Sequence, residues 1–459
     1  MAIAGLAVAS LAPAVARADT LEWALVQAYQ NNPVLNAQRA SLRAQDEAVP
    51  QALSGYRPRV SLTASVGNQY QSTISKSVTA AGPVYTESHA DFTPHAVGVT
   101  ASQTLFNGFQ TANRTRQAES QVSAGRATLA VTEQTVLLNA ATAYMNLLRD
   151  AAILDLQRRN VEVLQEQLRQ TRDRFNVGEV TRTDVAQAES RLAAGRAQVL
   201  QAESNYVTSR ANYRQTIGVE AGKLAPASPV DRFSPRTLPL AIDNGRQFNP
   251  AVAAAMFGID VAVLQVKVNE GSLLPTVTAT ANVQQNWETN TSSLLQQFNA
   301  SLVGQVTVPI YQGGQEYSLI RQAKETLGQQ RIALDTARDQ IQATVTQSWG
   351  QLEAAKAQIQ ATQAQVNSAE IALNGVREEA RVGQRTTLDV LNAQQELVNA
   401  RVALVTAQHD RVVASYSLLS AVGGLSVSGL GLKTTVYDPL AHYQQVRDSW
   451  AGVRNPDGR

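Results

Sequence analysis

Along most of the chain, apolar residues recur at a spacing of seven. Val122, Leu129, Val136 and Ala143 hold one phase, and Leu147, Leu154, Val161, Leu168 and Phe175 hold the next. The pattern returns as Leu327, Leu334 and Ile341, then Leu352, Ile359, Val366, Leu373 and Ala380. A strict seven-residue repeat predicts side-by-side helices that meet along a narrow seam with a left-handed supercoil. The run from Thr111 to Phe175 alone would make roughly 100 Å of helix. No compact globular domain needs such an element. A shorter return helix keeps the phase after each long one, through Val185, Leu192, Val199, Tyr206 and Tyr213, and through Val390, Leu397 and Leu404.

Ahead of each long helix the period changes from seven to two. Val60, Leu62, Ala64 and Val66 alternate with Ser61, Thr63 and Ser65, and Val97, Val99 and Ala101 alternate with Gly98, Thr100 and Ser102. In the second half Val277, Ala279, Ala281 and Val283 alternate with Thr278, Thr280 and Asn282, and a partner strand runs from Phe298 to Ile310. Such strands predict a sheet with one greasy and one wet face. Two folds satisfy that: a soluble sandwich with the apolar face inward, or a membrane barrel with a hydrated lumen. Four strands are too few to close an aqueous barrel, so the second fold needs several chains to share one.

The chain is an internal duplication. Asn32-Pro33 recurs as Asn249-Pro250, and Pro58-Arg59-Val60 as Pro275-Thr276-Val277. Phe106-Asn107-Gly108 answers Tyr311-Gln312-Gly313, Val177-Gly178 answers Val382-Gly383, and Thr183-Asp184-Val185 answers Leu388-Asp389-Val390. One Ser/Thr/Gly-rich excursion over 69–95 accounts for the extra length of the first copy. The copies span 19–221 and 249–424. Between them 222–248, with Pro226, Pro229, Pro235 and Pro239, reads as an irregular linker, and 425–459 as a tail.

Residues 1–18 read as a secretory signal: an apolar stretch from Ala2 to Ala16, then Ala16-Arg17-Ala18 as an A-x-A cleavage site, with Asp19 opening the mature chain. Beyond it no window offers 18 consecutive apolar residues, which argues against a helical membrane span. The absence of cysteine removes thiol chemistry, disulfides, Cys/His zinc sites and a lipid-modified N-terminus. A net charge of +2 argues against a nucleic-acid binder held by phosphate neutralisation. His89 and His95 fall in or beside the excursion, His409 in a return helix and His442 in the tail. None has partners at metal-ligand spacing, and no nucleophile–base pair is identifiable, so the sequence predicts neither an enzyme nor a cofactor. Much of the apolar content is Ala and Val, which suits thin walls better than a thick core.

The duplicated order of helix, strand pair, long helix, Gly-marked tip and return helix, with both Asn-Pro pairs and both tips Val177-Gly178-Glu179-Val180-Thr181 and Val382-Gly383-Gln384-Arg385-Thr386, resembles the TolC family of outer-membrane channel-tunnels. The resemblance covers about residues 20–424. It implies a mainly α fold with a membrane β-barrel: a homotrimer with a twelve-stranded barrel in outer-membrane lipid, continued by a helical coiled-coil tunnel through the periplasm. It implies partners as well: a periplasmic adaptor and an inner-membrane ABC or proton-driven transporter, with exported proteins or small molecules as cargo. The adaptor would dock at the tips, through Val177, Gly178, Thr181, Val382, Gly383 and Thr386. The periplasmic gate would be a polar link of Arg385 with Thr183 and Asp184, and a constriction at Asp389. Ala380 stands where the family link has a tyrosine, and Asn392 where a second acidic ring would lie. By residue type alone, Gly178 and Gly383 at the end of a long helix, and Thr183-Asp184 and Thr387 with Asp389 at or just inside the start of the next, fit plain helix capping equally well. The competing reading of the whole is a periplasmic structural coiled-coil protein without a pore.

Overall fold

A computed structural model of the chain describes residues 19–288 and 295–456; the expected signal at 1–18 lies outside them. The helices are α1 (Leu21–Asn31), α2 (Pro33–Asp46), α3 (Ala48–Leu53), α4 (Gln110–Asn176), α5 (Arg182–Ile217), α6 (Leu238–Phe248), α7 (Pro250–Gly271), α8 (Gln315–Arg381), α9 (Thr387–Ala421) and α10 (Ala441–Val446). The strands are β1 (Arg59–Val66), β2 (Gln69–Thr79), β3 (Gly82–Phe92), β4 (His95–Asn107), β5 (Thr276–Trp287) and β6 (Gln296–Thr307). They form two compact units, one of residues 19–41, 126–254 and 335–438, the other of 42–125, 255–334 and 439–456.

In the second unit β1, β4, β5 and β6 make one antiparallel sheet in the order β1-β4-β5-β6. Its register sorts the alternating residues by face. Leu62 sits across from Val99, Val99 from Val283 and Val283 from Ala300, while Ser61, Thr100, Asn282 and Ser301 line up in the same way one position along. The Thr100 hydroxyl donates to Asn282 Oδ1 at 3.1 Å within that polar row. Val60, Leu62 and Val66 on β1 and Phe298 and Leu302 on β6 are all at least 65% exposed. A soluble sandwich would cover such a row with a second sheet, and nothing among the described residues covers it. Among the described residues both edge strands, β1 and β6, lack a partner on their outer side. The excursion folds as a separate hairpin, β2 with β3, exposed along most of its length.

In the first unit the long and return helices form antiparallel pairs. Leu164 and Leu168 of α4 pack with Ala188 and Leu192 of α5. Val366 and Leu373 of α8 pack with Leu397 and Ala400 of α9. Leu129, Val136, Ala143, Leu147 and Leu154 are buried, as the seven-residue spacing predicts, and so is Val122 within the second unit, whereas Phe175, at the end of the run, is exposed. The Asn-Pro pairs have identical roles. Asn32 Oδ1 accepts from the Val34 N–H at 2.9 Å and its amide donates to the Thr216 carbonyl at 2.8 Å. Asn249 does the same with Ala251 and Ala421, each at 2.9 Å. Each Asn thus caps the helix that begins at its proline and satisfies a free carbonyl at the end of a return helix.

Two expectations need correction. Residues 222–248 are irregular only in their first part, because Leu238–Phe248 is a helix and the counterpart of α1 in the duplication. Pro239 misleads there: in the first helical turn it forfeits no hydrogen bond. The second concerns helical membrane spans. Among the described residues Leu238–Gly271 is long and apolar enough to cross a membrane by length and composition. It is two helices, separated at Asn249 by an extended conformation of φ −68°, ψ 126°.

The tail is ordered over its described part. Leu425 and Val427 are buried, and the Val427 N–H donates to Glu133 Oε1 at 2.9 Å. Burial raises the Glu133 carboxyl above its ordinary value against that hydrogen bond. In the other unit Arg57 donates to the Ser449 carbonyl at 2.5 Å and lies over the Trp450 ring, and His442 pairs with Asp46 at 3.0 Å.

Candidate functional site: two capped helix tips

At each tip the chain leaves a long helix, turns and enters a return helix within a few residues. The exit is fixed by glycine. Gly178 and Gly383 both take φ +80°, a left-handed conformation that costs a residue with a Cβ about 1–2 kcal/mol. In the first tip the Glu179 N–H donates to the Arg174 carbonyl at 2.9 Å and the Gly178 N–H to the Phe175 carbonyl at 3.0 Å. In the second, Gln384 donates to Glu379 at 2.9 Å and Gly383 to Ala380 at 3.2 Å. This double closure is the Schellman motif. It leaves Val177 and Val382 each 71% exposed at the apex.

The entry is fixed by a threonine and an aspartate. Thr181 is the N-cap of α5, and its backbone N–H and hydroxyl donate to Asp184 Oδ2 at 2.8 and 2.7 Å. The Asp184 N–H in turn donates to Thr181 Oγ1 at 3.3 Å. Thr386 and Asp389 repeat this capping box on α9 at 3.0, 2.8 and 3.2 Å. The Thr181 hydroxyl and backbone N–H hold the Asp184 carboxyl below its ordinary value. The Thr386 backbone N–H and hydroxyl do the same for Asp389. Both carboxylates are therefore ionised at neutral pH and face the positive end of a helix.

Arg385 donates from Nε to Glu379 Oε2 of its own tip at 2.8 Å, and Glu379 raises its already high pKa. Within one chain no hydrogen bond or ion pair joins Arg385 to Asp184 or to Thr183, which sits exposed in the first turn of α5. Thr387 opens α9 beside the N-cap. Asn392, one turn beyond Asp389, accepts from Arg191 Nη2 of α5 at 2.7 Å. Gln394 accepts from Arg377 at 3.0 Å and donates to Asn160 Oδ1 of α4 at 3.3 Å. Beside the tips lies an open groove of about 540 Å³, lined by Glu166, Gln170, Arg174, Arg377, Ala380 and Val390 among others.

Sequence reasoning missed Glu379, Arg191 and Arg377. The Arg385–Glu379 pair spans a tight turn and was open to inspection. The other two donate to side chains whose proximity follows only from how α8 and α9 align with their neighbours. The histidines are local: His89 Nδ1 lies 2.9 Å from the Tyr70 hydroxyl, His95 stacks on Trp287, and His409 sits between Asp410 and Asn146 at 2.8 and 2.9 Å. No cluster of three His, Cys, Asp or Glu able to hold a metal occurs among the described residues.

The outer membrane efflux protein family model matches residues 24–219 and 241–424, one segment per copy, and the chain belongs to that family. It is therefore an outer-membrane protein of an efflux-channel family, a family of channels and not of enzymes. It is 42% identical over 446 residues to the outer membrane efflux protein BepC of Brucella suis, covering 97% of this chain and 94% of that protein. To the outer membrane protein TolC of Vibrio cholerae it is 28% identical over 429 residues, covering 89% of this chain and 92% of that one. The crystal structure of the Campylobacter jejuni CmeC outer membrane channel shares the fold with a TM-score of 0.76, covering 98% of this chain and 97% of that one at 16% identity.

Proposed function

We propose that three copies of this chain form an exit duct across the outer membrane and periplasm, opened at the helix tips by a periplasmic adaptor and an inner-membrane transporter. The observation that carries it is the four-stranded sheet with two free edges and an uncovered apolar face. Edge pairing between copies satisfies the backbone of β1 and β6 in lipid, where an open edge cannot persist. Twelve strands then close a barrel wide enough for water, with the Ser/Thr/Asn rows inside.

Gating falls to the tips. Residues 19–221 and 249–424 act as the two structural repeats, and each ends its long helix in an exposed Val-Gly turn for the adaptor. Arg385 can leave Glu379 for Thr183 and Asp184 of a neighbouring copy, closing the mouth through a link that the single chain does not make. Asp389 from three copies narrows the mouth as a ring of carboxylates. Cargo is small molecules expelled by efflux, in keeping with the name of the 42% identical relative. Protein export by a type I system is the alternative cargo. Drug susceptibility set against secretion of a reporter protein in a deletion strain separates the two.

The duct itself is tested by single-channel conductance of the purified full-length protein in a planar bilayer, with SDS-resistant trimers on unheated gels. A coiled-coil protein without a pore gives neither, and that result would overturn the proposal.

A further inference from the structure

The carboxylate of Asp389 has a counterpart of opposite sign one helical turn away. Arg191 Nη2 reaches across from α5 and donates to Asn392 Oδ1 at 2.7 Å. A carboxylate at 392 would cancel the guanidinium charge, but an amide accepts the hydrogen bond and leaves the charge in place. Among the described residues no carboxylate lies within ion-pair distance of Arg191. Glu189, the nearest acid in its own helix, is taken by Arg172 at 2.5 Å, and Asp389 is held in the capping box by Thr386. Arg377, from α8, likewise donates to a neutral amide, Gln394, two residues further along α9. The stretch of α9 beyond Asp389 thus receives uncancelled positive charge from α5 and from α8.

From this geometry we infer that Arg191 is a selectivity-determining residue of the mouth, which sets a ring of guanidinium charge beside the Asp389 carboxylates so that anionic and net-neutral cargo passes as readily as cationic cargo. The inference rests on the trimeric duct proposed above. By threefold symmetry three positive charges stand next to three negative ones, and the field that a lone carboxylate ring would present to a permeating anion is largely offset. Asn392 has a defined part in this, since it holds the guanidinium at the level of the ring without neutralising it.

The test is the reversal potential of the full-length protein in a planar bilayer under a potassium chloride gradient. Wild type is expected to show little preference between the two ions. Arg191→Gln should raise the cation-over-anion permeability ratio about threefold, the size expected of three screened unit charges at about 10 Å. Asn392→Asp should move it the same way with Arg191 still present, by converting the hydrogen bond into an ion pair. Arg191→Lys should stay near wild type, and Asp389→Asn should shift the preference towards chloride. A strongly cation-selective wild type, or a pore whose reversal potential neither Arg191→Gln nor Asn392→Asp moves, would overturn the inference while leaving the duct intact. If the wild-type protein forms no pore, the duct reading itself fails.

Discussion

The two tips are the same local structure set in different surroundings. Both turn at a glycine with φ +80°, both close with a Schellman pair, and both open the next helix with a Thr/Asp capping box. They diverge as soon as a side chain reaches beyond its own turn. Leu391 of the second copy is 1% exposed and sits in the seam between α4 and α5 of the first, with Leu164, Leu168 and Leu192. Its counterpart by the duplication, Ala186, is exposed. Ion pairing differs as well. The first tip pairs Arg174, ahead of the glycine, with Glu179, and the second pairs Arg385, after it, with Glu379. Duplication therefore preserved the backbone solution while each copy acquired its own neighbours.

The sharpest break in the symmetry should come from the core. Leu391→Ala should cost about 2–5 kcal/mol, because it removes a fully enclosed side chain and leaves a cavity. Ala186→Ser should cost nothing measurable. Hydrogen exchange across α4 and α5 in the detergent-solubilised full-length protein reads the difference, and equal effects would mean that the second return helix does not complete the first seam.

Changes within a tip should be alike in both copies. Gly178→Ala and Gly383→Ala should each destabilise by about 1 kcal/mol through the left-handed backbone alone, since a side chain at either position would point into open space. Thr181→Ala and Thr386→Ala should each cost about 1 kcal/mol by removing an N-cap. Local exchange in the first turns of α5 and α9 measures both pairs, and a twofold disparity between copies would show that the tips are not independent caps.

Acid should act on the two boxes together. The folded Asp184 and Asp389 carboxyls lie below the ordinary value of 3.8. Their contribution is therefore fully present above that value and is lost as pH falls through the lower, folded one. Protection of the first-turn amides, corrected for intrinsic exchange, should hold at pH 5 and fade below about pH 3.8 in both tips. Fading near pH 6 would place the titrating group elsewhere. The smallest effect is expected from Glu179→Gln and Glu379→Gln. Their partners are exposed and surface pairs contribute little, so thermal stability should not move in either copy.

Much of this was legible in the residues. The seven-residue spacing placed the buried seam from Val122 to Leu154, and alternation placed the sheet faces, because both periods are set by backbone geometry before any tertiary contact forms. The tip glycines and the aspartates Asp184 and Asp389 announced their capping roles, whereas the capping hydroxyls belong to Thr181 and Thr386 and not to Thr183 and Thr387. What escaped was of two kinds. The α6 helix hid behind Pro239, a residue that breaks helices everywhere except in the first turn. The partners of Asn392 and Gln394 depend on the alignment of separate helices, which no local pattern encodes.

The duplication, the long helices, the face of each strand and the turn at each tip follow from residue order alone, through spacing and through residues that act within one turn. Only the packing of separate helices settled that Leu391 completes the other copy's seam and that Arg191 keeps its charge against an amide. Those choices depend on distances between elements far apart in the chain, where two near-identical copies meet different neighbours.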